Sequence, residues 1–307
     1  MTKTLEHDAL IYGTDEALTG TLVPWLQEGL ERGDGALVAT TAAHIEHFRD
    51  SLGSDEGSVS FFFADDWYVQ PAQTIAAWQR MLSDAADTGV AYTRIIGEVA
   101  FGATQALQTS WTRYESALNA VFEHSPAWIV CPYDARTLPP EVIDQAWRTH
   151  PTMWNSTRHK SDRYELPATL LRDIVEPGRP VTGPPSLELF IDDQLSDLRE
   201  SVRALAHEAA LPKARVEELV LAVTELAGNT VRHAGGGGRL ALWITREGIV
   251  CEITDRGGGV QDPLAGLVPP KPSASAGMGL WIARQLSDSF AIGTDDEGTT
   301  VRIAVDR

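Results

Sequence analysis

The chain of 307 residues is poor in basic side chains and in long apolar runs. Lys and Arg number 25 against 43 Asp and Glu, which gives a formal charge of −18. Affinity for phosphate backbones and anionic lipids comes mostly from clustered basic side chains, so this charge argues against binding to either. No apolar run reaches the roughly 18 residues that a membrane span needs, and the polar start does not resemble a cleavable signal. We therefore expect a cytoplasmic protein that binds neither nucleic acid nor membrane.

Cysteine is also scarce. Only Cys131 and Cys251 occur, each within an apolar, strand-like run in a different half of the chain. We interpret both as free buried thiols, because an isolated cysteine usually behaves as a small hydrophobic residue. No Cys/His spacing typical of a metal site is found. A GK[ST] phosphate-binding loop is missing after the first predicted strand, so nucleotide hydrolysis is not expected in the amino-terminal half.

The length and an ordinary content of 43% hydrophobic and 22% charged residues favour two globular domains. Between them, residues 176–186 contain four prolines and two glycines. Proline-rich composition is typical of a semi-rigid spacer. The sequence therefore predicts an amino-terminal domain over residues 1–175, a linker over 176–186 and a carboxy-terminal domain over 187–307.

Residues 9–173 alternate predicted strands with predicted helices. This alternation favours a largely parallel sheet covered by helices, and a ligand of such an open sheet lies beyond the carboxyl ends of its strands. Predicted strands cover 9–12, 36–40, 59–64, 93–98 and 127–132, and predicted helices cover 18–32, 43–52, 71–88, 111–124 and 140–149. The residues expected at the strand ends are Thr40, Thr41, Asp65, Asp66, Glu98, Tyr133 and Asp134.

Several polar residues of this half are candidates for a functional role, but each also has an ordinary structural explanation, which we favour. We interpret Glu98 as the cap of an exposed strand end, and Glu115 with Asn119 as a solvated helix face. His150 is interpreted as a cation at the negative end of a helix dipole. The numerous tryptophans are interpreted mainly as core residues, although aromatic walls also line apolar ligand pockets.

The stretches RIIGEVAFG, WTRYESALNAVFE and CPYDARTL resemble the MEDS domain, a sensory module of bacterial and archaeal regulators. The resemblance covers most of residues 5–172. It implies a RecA-like three-layer α/β fold without the phosphate loop. It also implies that this domain receives a small-molecule or protein signal.

Three short clusters stand out in the carboxy-terminal half. In the first, residues 215–233 carry apolar residues at helical spacing, and Glu225 and Asn229 project from one face of that helix with Arg232 and His233 one turn on. An amide oxygen is a suitable ligand for Mg²⁺, and a carboxylate can accept a proton from a nucleophile. Two polar residues on a solvated helix face would give the same pattern, so this motif is weak alone.

The other two clusters are rich in glycine. Asp255 ends an alternating strand and precedes Gly257 and Gly259. A carboxylate there can accept a hydrogen bond from an exocyclic amine such as adenine N6, although an ordinary turn uses the same residues. The third cluster, Gly277, Met278 and Gly279, opens a predicted helix over 280–287, and the N-terminus of a helix binds phosphate.

In combination, the sequences ELAGNTVRHA, DRGGGV and GMGLWIARQLSD resemble the N, G1 and G2 boxes of the GHKL ATPase superfamily. The resemblance covers residues 187–307 and implies a Bergerat two-layer α/β sandwich that binds ATP with Mg²⁺, so the whole chain is of the α/β and α+β classes. It implies Glu225 as the base and Asn229 as the Mg²⁺ ligand. The nucleotide-binding residues it implies are Asn229, Arg232, His233, Asp255, Gly257, Gly259, Gly277, Met278, Gly279, Leu280 and Thr300.

Within the superfamily, the short domain resembles the anti-sigma-factor serine/threonine kinases of bacteria. The implied partners are a sigma factor and a STAS-type anti-sigma antagonist, with a second copy of the chain as an option. Such kinases often carry an arginine just before the GxG, where Ser275 and Ala276 stand here, and Lys271 is the nearest cation of the loop. Phosphoryl transfer needs stabilisation of developing charge, so this departure supports a non-catalytic, ATP-binding sequestering protein as the alternative. A histidine kinase is disfavoured, because its only candidate phosphoacceptor, His207, stands in a single helix.

Overall fold

The computed structural model describes residues 4–155, 157–192, 195–234, 237–268 and 277–307. The chain divides into two compact units, Met1–Asp173 and Ile174–Arg307, each with its own sheet. The fold class is mixed α/β, as the sequence predicts. Among the helices so described, none is both long enough and apolar enough to cross a membrane.

The first unit is built on a seven-stranded sheet. Its strands are β1 (Glu6–Tyr12), β2 (Gly35–Thr40), β3 (Ser60–Phe63), β4 (Thr93–Gly97), β5 (Ala127–Asp134), β6 (Thr152–Trp154) and β7 (Arg158–Lys160). Their order is β3-β2-β4-β5-β1-β6-β7, and all neighbours pair in parallel except β6 with β7. The predicted, largely parallel sheet is confirmed. The β6–β7 hairpin was not predicted, because strands of three residues carry little periodic signal.

The helices of the first unit fall into two contacting groups. They are α1 (Asp15–Glu31), α2 (Ala42–Leu52), α3 (Ala64–Trp67), α4 (Pro71–Asp87), α5 (Gln105–Val121), α6 (Pro140–Thr149) and α7 (Pro167–Asp173), with a 3₁₀ helix at Gly53–Ser58. Helix α1 contacts α2, whereas α5 contacts α4, α6 and α7. Helix α5 begins before the predicted start at Trp111, because Thr104 caps it by accepting a hydrogen bond from the backbone N–H of Leu107.

Within its described residues, the second unit contains a five-stranded antiparallel sheet and three helices. The strands are β8 (Leu187–Ile191), β9 (Gly238–Ile244), β10 (Gly248–Asp255), β11 (Ser289–Asp295) and β12 (Gly298–Asp306), in the order β11-β12-β10-β9-β8. The helices are α8 (Leu195–Glu208), α9 (Lys213–His233) and α10 (Met278–Leu286). Apolar residues of all three helices form one core with alternate residues of the strands. This is the two-layer arrangement that the sequence predicts.

Side chains of β10 alternate between the two faces of this sheet. Ile249, Cys251 and Ile253 belong to the core beneath the helices. Each such side chain stabilises the unit by roughly 1.5 to 3 kcal/mol through burial. The same alternation brings Asp255, two residues after Ile253, to the face that the helices cover.

The Pro/Gly-rich segment that the sequence predicts as a spacer lies against the second unit. The Glu176 carboxylate forms an ion pair with Arg284 of α10, with Nη2 and Oε2 2.9 Å apart. Arg179 pairs with Asp306 of β12, and the indole N–H of Trp243 donates to the Gly183 carbonyl at 3.2 Å. These contacts hold the segment along the sheet instead of leaving it extended as a free tether.

Candidate functional site

Glu225 and Asn229 lie on one face of α9, as their spacing predicts, and the first turn of α10 closes on them. A Cβ atom placed on Gly279 would lie 2.9 Å from Asn229 Nδ2 and 3.2 Å from Glu225 Oε2. Any larger residue at 279 would push against both side chains. The structure therefore brings together the carboxylate, the amide and the glycine-rich helix start that are separated in the sequence.

The Asn229 side chain also contacts Arg232. The Arg232 guanidinium donates a hydrogen bond from Nη2 to Asn229 Oδ1 over 2.7 Å. This is the oxygen that the sequence predicts as a Mg²⁺ ligand. Because this hydrogen bond is exposed to solvent, its loss costs little free energy. A cation with a higher charge density could therefore take the place of the guanidinium at Asn229 Oδ1.

Asp255 is fixed in orientation at the end of β10. Its Oδ2 accepts a hydrogen bond from Thr230 Oγ1 at 3.1 Å, and its Oδ1 accepts one from the Gly257 N–H at 2.9 Å. Thr230 was not predicted as a site residue. The sequence does contain a sign of this role. Thr230 follows Leu226 by four residues, so its hydroxyl lies on the apolar, buried stripe of α9, where it needs a hydrogen-bond partner.

The start of α10 is shaped by Gly277. This residue has φ +89° and caps the helix without a side-chain hydrogen bond. A side chain is strained in that left-handed conformation, so glycine lets the chain enter the helix here. The first N–H groups of a helix have no intrahelical partners and lie at the positive end of its dipole. The helix start can therefore bind an anion without a lysine.

These elements surround a cavity of about 290 Å³. Its size is close to the lower limit of small-molecule pockets, about 300 Å³. Five apolar side chains form its walls, and its polar lining includes Asn229, Asp255 and Thr299. The apolar residues are Leu226, Ile253, Val260, Leu280 and Val301. Apolar walls with convergent polar groups are typical of small-molecule sites.

The predicted site residues are distributed around this cavity as follows. Those that line it are Asn229, His233, Asp255, Gly257, Gly259, Gly277 and Leu280. Glu225, Arg232 and Gly279 adjoin Asn229, and Met278 begins α10 with 38% of its surface exposed. The loop residues Lys271, Ser275 and Ala276, on which the comparison with arginine-bearing kinases depends, lie outside the described residues.

Thr300, which the sequence predicts on the adenine side, lies next to Thr299 on β12. Asp255 pairs with Thr299 across the β10–β12 ladder, and Thr254 pairs with Thr300. Side chains opposite each other share a face, so Thr299 lies beside Asp255 in the cavity. Thr300 lines a neighbouring cavity of about 820 Å³, which Asp255 and Thr299 also line. Thr299 thus borders both cavities, and Thr300 borders the second.

The first unit has a polar cluster where the strands of its sheet end. The Glu98 carboxylate accepts hydrogen bonds from Tyr12 at 2.5 Å and from Thr40, and it lies 2.8 Å from His44 Nδ1. Nearby, Arg136 binds both Asp134 and Asp15. The interpretation of Glu98 as the cap of an exposed strand end is wrong, because its surface is only 8% exposed and its carboxylate joins three strand ends.

The stability of the first unit is expected to depend on the protonation of His44. The hydrogen bond to Glu98 raises the pKa of His44, although burial lowers it. A raised pKa means that this stabilisation is fully present below the unfolded pKa, about 6.5, and is lost as the pH rises through the folded pKa. We expect His44→Asn to lower the free energy of unfolding at both pH 6 and pH 9. The loss at pH 6 should be the larger of the two by about 1 kcal/mol.

Guanidinium unfolding followed by tryptophan fluorescence measures this difference, since most of the nine tryptophans lie before residue 174. His47→Asn is the matched control, because its half-exposed ring lies 3.9 Å from Asp15. An equal loss of stability at both pH values would show that His44 stabilises the unit only by packing.

Comparison with known families identifies both halves of the chain. Residues 6–151 match the family described as MEDS, the methanogen/methylotroph, DcmR sensory domain. Residues 191–305 match the histidine kinase-like ATPase domain. No similar protein was found among curated proteins. The chain thus has a MEDS domain at its amino terminus and a GHKL-like ATPase domain at its carboxy terminus, and this pair indicates a signalling regulator that binds a nucleotide.

Proposed function

We propose that this protein is an ATP-binding anti-sigma factor that phosphorylates a serine or threonine of a STAS-type antagonist, under the control of a signal received by the MEDS domain. One observation carries the proposal. The fixed carboxylate of Asp255, the amide of Asn229 and the start of α10 converge on a single cavity.

The residues around the cavity fit the parts of ATP. Asp255 can accept a hydrogen bond from the amino group of adenine, and the apolar walls formed by Leu226 and Val301 suit the base. The start of α10 suits the phosphates. Asn229 would hold Mg²⁺, which neutralises charge on the phosphates when it is bound.

A kinase also needs a group that accepts the proton of the attacking hydroxyl. Glu225 adjoins Gly279 at the start of α10, so its carboxylate faces the region in which the phosphates are expected. We assign to Glu225 the role of this base. General bases contribute roughly 10² to 10⁴ in rate.

Two further features favour a regulator that acts through protein partners. The charge of −18 disfavours direct contact with DNA. Helix α8, which carries His207, packs on α9 as part of the ATPase core instead of standing ahead of it in a helix pair. This position disfavours a histidine kinase.

The test uses the full chain with ATP labelled at the γ-phosphate, Mg²⁺ and the STAS-type proteins and sigma factors of the same source. We expect label on a serine or threonine of the antagonist and ATP-dependent capture of a sigma factor. An Asp255→Ala variant, designed to lose adenine recognition, is the negative control.

The outcomes separate the proposals. Capture of the sigma factor and ATP binding without labelled antagonist would establish the non-catalytic, sequestering protein instead. ATP binding without capture of any sigma factor would overturn the proposed function and leave the nucleotide site intact.

A further inference from the structure

A second cluster of chemically reactive side chains lies in the core of the MEDS domain. It consists of His7 on β1, Glu115 on α5, Cys131 on β5 and His150 directly after α6. Their exposed fractions are 2%, 1%, 2% and 0%. The interpretation of Glu115 as part of a solvated face is therefore wrong. His150 does end α6, but its full burial contradicts its interpretation as a helix-terminal cation. Cys131 is a free buried thiol as predicted.

The distances within this cluster match those between the ligands of one tetrahedral metal ion. His7 Nε2 lies 3.4 Å from Cys131 Sγ and 3.5 Å from Glu115 Oε2, and His150 Nε2 lies 3.4 Å from the same oxygen. All four ligand atoms lie within 4.8 Å of one another. Zinc bonds of about 2.0 Å to nitrogen and 2.3 Å to sulfur place tetrahedral ligands roughly 3.3 to 3.6 Å apart. The cluster is thus close to a preformed coordination shell.

The outer nitrogens of both imidazoles are held by carbonyl oxygens. His7 Nδ1 donates to Asn119 Oδ1 at 3.0 Å, and His150 Nδ1 donates to the Ala146 carbonyl at 3.1 Å. Asn119 is itself fixed by a hydrogen bond to the Thr149 carbonyl at 2.8 Å. A proton on each Nδ1 leaves the Nε2 lone pairs directed at the cluster, which is the usual arrangement of metal-binding histidines.

The inner atoms of the cluster lack the partners that burial normally requires. Among the described residues, both oxygens of Glu115 and Nε2 of His150 have no hydrogen-bond partner. Buried polar atoms without partners cost free energy, and one bound cation would contact all three of these atoms.

We propose that His7, Glu115, Cys131 and His150 bind one Zn²⁺ ion. Two nitrogens, one sulfur and one oxygen form a ligand set that zinc accepts in tetrahedral geometry. On binding, the Cys131 thiol releases its proton to solvent. The thiolate and the carboxylate then balance the charge of the ion, and the buried site becomes neutral.

A surface cavity borders the cluster. Its volume is about 410 Å³, and its lining includes His7, Asn119, Glu123 and His124. Four protein ligands leave no open position for a substrate, and the ion has a structural or sensory role. This proposal does not depend on the nucleotide site of the other domain.

The test measures metal binding by the full chain after treatment with a chelator and without nucleotide. We expect one zinc per chain by elemental analysis. Cobalt(II), the spectroscopic probe, is expected to give intense tetrahedral bands in the visible range and a thiolate-to-cobalt charge-transfer band in the near ultraviolet.

Cys251 supplies a matched control, because it is the other buried free thiol and lies in the other domain. Cys251→Ser should retain the charge-transfer band, whereas Cys131→Ser should lose it. If Cys131→Ser does not fold, the Cys251→Ser protein still decides the assignment, since Cys131 is then its only thiol. Asn119→Ala should weaken zinc binding about 10- to 100-fold through loss of the hydrogen bond that orients His7.

Three results would overturn the proposal. They are less than about one tenth of a zinc ion per chain in the presence of free zinc, a cobalt spectrum equal to that of the hydrated ion, and a charge-transfer band that disappears in Cys251→Ser. The first two would indicate a buried histidine–carboxylate ion pair in place of a metal site.

Discussion

Asn229→Ala is expected to abolish Mg²⁺-dependent ATP binding, with a loss of affinity of at least about 100-fold, or roughly 2.7 kcal/mol. Asn229 lines the cavity and lies against Gly279 at the start of α10, so its amide oxygen is a hard, neutral ligand beside the expected phosphates. Isothermal titration calorimetry with ATP, once with Mg²⁺ and once with EDTA, measures the effect. The variant should lose the difference between the two titrations.

Arg232→Ala is the informative control for this prediction. It removes the guanidinium that donates to Asn229 Oδ1 and leaves the amide in place. We therefore expect Mg²⁺-dependent affinity equal to or higher than that of the unmodified chain. Near-normal affinity of Asn229→Ala would exclude the metal role of this residue. A comparable loss in Arg232→Ala would instead show that the arginine itself contacts the nucleotide.

The sequence was sufficient for the parts of the fold and site that depend on local pattern. Helical spacing located α9 and put Glu225 and Asn229 on one face, and the glycines marked both turns that border the cavity. The alternation of apolar runs with helices predicted the parallel sheet of the first unit. Each of these features follows from neighbouring residues along one segment of the chain.

Features that depend on pairing between distant segments were missed or misjudged. Thr299 and Thr300 are identical in type, and only the register of β12 against β10 decides which of them lies beside Asp255. Glu115 looked solvated because the polar residues of α5 resemble an exposed face in sequence. Its burial follows from the packing of α5 near β1, β5 and α6, which brings in His7, Cys131 and His150 from elsewhere in the chain.

The contacts of the Pro/Gly-rich segment could not be predicted from local sequence pattern either. Its composition correctly excluded helix and strand over residues 176–186, yet composition carries no information about what the segment contacts. The ion pair of Glu176 with Arg284 and that of Arg179 with Asp306 involve residues more than 100 positions apart. The start of the segment is thereby tied to α10, the helix whose first turn borders the candidate cavity.

Glu225→Gln is expected to leave ATP binding within about threefold of normal and to reduce phosphoryl transfer to the antagonist by roughly 10² to 10⁴. Glutamine keeps the size and a hydrogen-bonding oxygen beside Gly279 but cannot accept the proton of the attacking hydroxyl. The measurement combines calorimetry with single-turnover transfer of labelled phosphate. Glu217→Gln on the same helix is the control, because that carboxylate is exposed and pairs with Arg203.

The combination of the two readouts assigns the role of Glu225. Loss of transfer with retained binding requires a function in the chemical step, since substrate binding is unchanged. Loss of both would mean that Glu225 holds the site around Gly279 and Asn229 together. Undiminished transfer would remove Glu225 from the mechanism. A base elsewhere would then have to lie within hydrogen-bond reach of the same hydroxyl.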